Sequence, residues 1–105
     1  MSVEYIPFDP TLIGKEEIII WCPRNEDYDE LARTLDDLGV TWASGDSPVE
    51  LRLWNDSYDA RCVDTDKVMT RGARSLYEED DDFRHCTFMM WPPEQEVTVD
   101  VGDLI

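Results

Sequence analysis

The sequence predicts an α+β fold, with one main helix packed on a small, mostly antiparallel sheet of about four to five strands. Three observations carry this expectation. Glu17-Ile18-Ile19-Ile20-Trp21-Cys22 is a β-branched run closed by Pro23, the pattern of a central strand. Tyr28, Leu31, Ala32, Leu35 and Leu38 recur at helical spacing and stop at Gly39. From Val40 to Trp91 the apolar residues come in short extended pieces separated by turn residues.

Residues 1–16 read as an irregular leader, punctuated by Pro7, Pro10 and Gly14, with Tyr5, Ile6, Phe8, Leu12 and Ile13 able to dock on the body. The domain proper spans 17–91. After the first strand, Asn25 is the expected N-cap, with Glu26 and Asp27 in the first turn, where the helix dipole favours negative charge. Val40-Thr41-Trp42-Ala43 reads as a short strand, broken by Ser44-Gly45-Asp46-Ser47-Pro48. Val49 to Trp54 resumes an extended path. Ala60 to Asp64 and Lys67 to Thr70 flank a two-residue Thr65-Asp66 link, a hairpin without the usual glycine. Leu76 and Tyr77 support a short helix, and Phe83 to Trp91 a last core strand. Pro92-Pro93 opens a tail, 92–105, in which Val97, Val99 and Val101 alternate as an edge strand would.

The chain has 105 residues with a formal charge of −16, yet 42% of them are hydrophobic. Acidic chains poor in apolar residues stay unfolded, but this one carries enough apolar surface to build a core. Its length suits one domain, burying about 60–68% of the surface that the unfolded chain exposes. The charge repels nucleic acid and anionic membranes and selects for basic partners. No apolar run approaches the length of a membrane span, and Met1 to Tyr5 lacks the basic flank of a signal peptide. Cys22, Cys62 and Cys86 are odd in number and widely spaced, which fits reduced thiols in a cytoplasmic setting.

Catalytic and metal signatures are weak. The only imidazole, His85, adjoins Cys86, and adjacent residues of a strand face opposite ways. Cys22, Cys62, Cys86 and His85 could supply four zinc ligands, but no C-x-x-C or H-x₃-H spacing is present, so buried structural thiols are expected. Asp64-x-Asp66 lacks the glycine and terminal Glu of a calcium loop. Trp42-Ala43-Ser44-Gly45 lacks the leading glycine of a nucleophile elbow. No cofactor and no enzymatic activity are expected.

Two anionic segments remain as candidate partner-binding sites. Glu78-Glu79-Asp80-Asp81-Asp82 is a run of five acids between Tyr77 and Phe83, aromatics suited to anchor in a basic groove. Asp29, Glu30, Asp36 and Asp37 lie off the apolar stripe of the helix, where neighbours three or four apart sit about 5–6 Å apart. That spacing is comparable to the phosphates of a nucleic-acid strand. The bland readings are a solvated loop and a solvated helix face.

The pattern Ile18-Ile19-Ile20-Trp21-Cys22-Pro23, then Tyr28, Leu31, Leu35, Leu38-Gly39-Val40-Thr41-Trp42-Ala43-Ser44-Gly45, then Trp54, Cys62-Val63, Gly72, Tyr77 and Thr87-Phe88 resembles small proteins encoded by bacteriophages and prophages. Their shared piece is a G-x-x-W-x-S-G turn, here Gly39 to Gly45. The resemblance spans about residues 18–90 and implies a phage-accessory setting with no catalytic residues. In size and charge the chain also resembles anti-CRISPR and other anti-defence factors. The expectation is therefore a phage-encoded acidic inhibitor, monomeric or homodimeric, that occupies the nucleic-acid site of a basic host protein. The alternatives are an acidic adaptor or antitoxin-like partner, or an accessory protein whose charge reflects high salt or genome composition.

Overall fold

The computed structural model describes residues 4–51 and 57–93. Among the described residues six strands form one sheet: β1 (Ile6–Pro7), β2 (Ile18–Trp21), β3 (Thr41–Trp42), β4 (Ala60–Val63), β5 (Val68–Gly72) and β6 (Thr87–Met90). Two helices accompany them, α1 (Asn25–Asp37) and α2 (Arg74–Glu79), with 3₁₀ turns at Pro10–Leu12 and Asp81–Phe83. The α+β class and the single long helix are as expected. The sheet, ordered β1-β6-β2-β4-β5-β3, has six strands and is mixed rather than mostly antiparallel. β1–β6, β6–β2 and β5–β3 pair parallel, and only β4 runs against its neighbours.

The mixed sheet follows from the connections. β2 reaches β3 through α1, moving towards one edge, and β5 reaches β6 through α2, moving towards the other. Right-handed crossovers running in opposite directions place their helices on opposite faces of the sheet. The packing has this form. Tyr28, Leu31, Ala32 and Leu35 of α1 cluster with Ile18, Ile20, Val63, Met69 and Met89 on one face. Tyr77 of α2 clusters with Ile19, Ala60, Cys62, Cys86 and Phe88 on the other. Burying each such aliphatic side chain contributes roughly 1.5–3 kcal/mol.

Local chemistry sets the boundaries. α1 starts one residue earlier than expected: Arg24 is the N-cap and Asn25 is already helical. Arg24 offers no side-chain cap; its guanidinium instead holds Asp27 at 2.6 Å. At the other end Gly39 has φ +85, and the N–H groups of Val40 and Gly39 return to the carbonyls of Leu35 and Asp36, a Schellman closure. Four residues, Asp64 to Lys67, link β4 to β5, rather than the expected two. Lys67 takes the left-handed position at φ 65 that glycine usually fills, and the Asp64 carboxylate accepts from the N–H of Asp66 and Val68.

The leader joins the sheet. β1 lies parallel to β6, and Phe8 and Ile13 are buried in the α1-side core, with Phe8 edge-on to Trp91 at 5.1 Å. Val49 and Glu50 lie in a turn; the rest of the extended segment expected to Trp54 falls outside the described residues, as does the alternating tail segment at Val97, Val99 and Val101. No helix among the described residues is long and apolar enough to cross a membrane.

Candidate functional site: two anionic surfaces

α1 carries the more continuous anionic surface. At about 100° per residue, Glu26, Asp29, Glu30, Arg33, Asp36 and Asp37 fall within an arc of about 120°. Tyr28, Leu31, Ala32 and Leu35 define the opposite, buried side. All six outer residues are exposed. The stripe runs along a helix of 13 residues, about 20 Å of rise, and places five carboxylates on a rigid element anchored by its apolar face.

The run from Glu78 to Asp82 is not a comparable array. Glu78 lies in the last turn of α2, accepts a hydrogen bond from the Tyr5 hydroxyl at 2.5 Å and faces Arg74 Nε at 3.6 Å. Asp80 caps the 3₁₀ turn by accepting from the Asp82 N–H, and Asp81 pairs with Arg84 at 2.9 Å. Glu79 and Asp82 project as exposed carboxylates. The flanking aromatics expected as anchors are folded inward: Tyr77 is 3% exposed and packs edge-on against Phe83 at 4.7 Å. Because α1 and α2 cover opposite faces of the sheet, the structure does not bring the two anionic segments together.

Between the oppositely directed crossovers, the carboxyl ends of β2 and β5 border a crevice, the place where open α/β sheets commonly hold ligands. Here it is a cavity of about 240 Å³ lined by Trp21, Asp59, Ala73, Arg74 and Ser75. Its carboxylate, Asp59, is already engaged on both oxygens. Trp21 Nε1 donates to Asp59 Oδ2, the Arg74 N–H donates to Asp59 Oδ1, and the Arg74 guanidinium lies 4.3 Å from the Trp21 ring. A second cavity, about 320 Å³ and mainly apolar, lies beside β3 between Trp42, Leu51 and Met69.

The three cysteines do not converge with His85 on one zinc centre. Cys22 belongs to the α1-side core, whereas Cys62 and Cys86 lie on the α2 side. His85 and Cys86 do not sit on a strand either. They occupy the turn before β6, which allows the His85 Nε2 and Cys86 Sγ to approach to 3.8 Å. His85 Nε2 also meets Glu17 Oε1 at 2.5 Å. Both contacts use the same ring nitrogen, unlike a nucleophilic triad, in which acid and nucleophile occupy different nitrogens. Burial, followed by the Glu17 charge, pushes the Cys86 thiol up to about 11, so it is not an activated thiolate.

Arg61 was not singled out in the sequence, yet it is the central polar group of the interior, 1% exposed on β4. Its Nε donates to the Tyr28 hydroxyl at 3.1 Å and its Nη1 to the carbonyls of Tyr58 and Ala60. The guanidinium also lies 4.6 Å from the Tyr28 ring and 5.3 Å from that of Trp42. Comparison with protein-family models, with curated proteins and with solved structures finds no match.

Proposed function

We propose that the protein is a non-catalytic inhibitor that docks the outer face of α1 into the phosphate-binding groove of a basic nucleic-acid-binding protein. The observation that carries this reading is the exposed stripe of Glu26, Asp29, Glu30, Asp36 and Asp37 on one rigid helix. Preordered carboxylates lose little entropy on docking, and a charge of −16 on 105 residues speeds encounter with a cationic surface. The strand-end crevice, whose Asp59 carboxylate is already engaged on both oxygens, supports a surface-docking role over a small-molecule one. Anti-defence inhibitors are the kind of protein this description fits.

The test is competition. Tagged protein is used to capture partners from nuclease-treated bacterial lysate, and duplex DNA or RNA is then added. Mimicry predicts capture of a nucleic-acid-binding protein and its release by the added duplex. A partner that stays bound while also binding nucleic acid would replace the inhibitor reading with that of an acidic adaptor.

A further inference from the structure

The period-2 alternation of the sheet places an unexpected donor set on the α2 face. Ile18 pairs with Thr87 and Ile19 with Phe88, so Glu17 and Cys86 are register neighbours just ahead of β2 and β6, with the Thr87 N–H donating to the Glu17 carbonyl. Cys62, opposite Ile19 on β4, belongs to the same face. The turn before β6 then swings His85 back over Glu17. As a result one Glu17 oxygen, His85 Nε2 and Cys86 Sγ all lie within 4.8 Å of one another. Cys62 Sγ borders the group, 3.9 Å from the other Glu17 oxygen.

We propose that Glu17, His85 and Cys86 form a binding site for a thiophilic divalent cation of the zinc class. Zinc takes thiolate at about 2.3 Å and imidazole or carboxylate at about 2.0–2.2 Å in a tetrahedron, so its donors stand roughly 3.3–3.8 Å apart. The 3.8 Å between His85 Nε2 and Cys86 Sγ already meets that requirement. The 2.5 Å between His85 and Glu17 is a direct hydrogen bond, and a cation inserted there would replace the bridging proton and part the two groups by about 1 Å. Thiolate and imidazole select zinc or cobalt over magnesium and calcium, which prefer oxygen donors alone. The His85 side chain is 61% exposed and that of Glu17 32% exposed, so the site opens to solvent, and a water completes the tetrahedron. Because the Cys86 thiol must lose its proton on binding, affinity rises with pH. A bound cation would clamp the starts of β2 and β6, the pair that joins the two crossovers.

The many surface carboxylates also attract cations, so the experiment is run in excess Mg²⁺, which occupies oxygen-only sites. Cobalt(II) is titrated into the reduced full chain while thiolate-to-metal charge transfer is followed in the near ultraviolet. The expected result is a band that saturates at one equivalent and is displaced by zinc. It should be lost in Cys86→Ser and weakened at least ~10-fold in affinity in His85→Ala. His85 is exposed, so that variant keeps its fold, which circular dichroism checks. Glu50→Gln, at an exposed acid in the turn after β3, should bind cobalt as the wild type does. Absence of the band would overturn the proposal, as would a band that survives both Cys86→Ser and His85→Ala.

Discussion

Arg61 shows how a single residue organises this interior. A buried guanidinium is costly unless its donors are met, and here Tyr28 and two backbone carbonyls accept from it while two aromatic rings flank its plane. The anionic field of the whole chain favours a cation in this position. Arg61→Met keeps the aliphatic stem but removes these hydrogen bonds from the interior, and should destabilise the fold by roughly 2–4 kcal/mol in urea melts. Cys62 and Cys86 make a second prediction. Desolvation, followed by neighbouring charge, pushes Cys62 up to about 12 and Cys86 up to about 11 from the usual 9. Burial, followed by the hydrogen bond to Glu78, also raises the Tyr5 hydroxyl above its ordinary range. In each case folding favours the protonated form, so the unfolded chain releases these protons first as pH rises. Their contribution is complete below about pH 9 and declines as pH climbs through 11 and 12. Urea melts between pH 7 and pH 11 should show this loss, and double replacement of Cys62 and Cys86 by Ala should flatten it. Neither Arg61 nor the Glu17–His85–Cys86 group was legible in the sequence. An Arg between Ala60 and Cys62 looks like a surface strand residue, and the backward swing of His85 depends on a turn where the sequence indicated a strand.

At the scale of elements, legibility followed local chemistry. β2 was readable because three consecutive isoleucines permit little else, and α1 because its apolar spacing and Gly39 agree on one helix. The hairpin was readable in its strands but not in its turn, because the Asp64 carboxylate and a left-handed Lys67 do the work expected of glycine. β1 was not readable: two exposed residues containing a proline carry no strand pattern, and their pairing depends on β6, some 80 residues away. Parallel pairings in general were hidden, because the crossovers decide them. Gly39 offers the element-scale test. Its φ of +85 admits a side chain only with strain, so Gly39→Ala should lower stability by about 1 kcal/mol and fray the last turn of α1. Amide exchange at Val40, whose N–H closes that turn, would report the fraying.

Across the whole molecule, the sheet separates the two anionic segments that the sequence singled out. The run from Glu78 to Asp82 stabilises α2, the following turn and the Tyr5 contact, whereas the α1 stripe lies on the other face with its carboxylates outward. A charge of −16 also repels itself, so stability should rise between about 10 mM and 0.15 M salt as the screening length falls from about 30 Å to about 8 Å. It should then level off. A chain whose acidity served only growth in high salt would keep gaining stability into the molar range. The most direct test of the central claim compares two neutralised variants against the nucleic-acid-binding protein that the wild type captures. One combines Asp29→Asn, Glu30→Gln, Asp36→Asn and Asp37→Asn; the other combines Glu79→Gln and Asp82→Asn. With folding confirmed by circular dichroism, docking through α1 predicts that the first loses about 100-fold in affinity while the second stays within about threefold of the wild type. Unchanged affinity in the first variant would contradict the account.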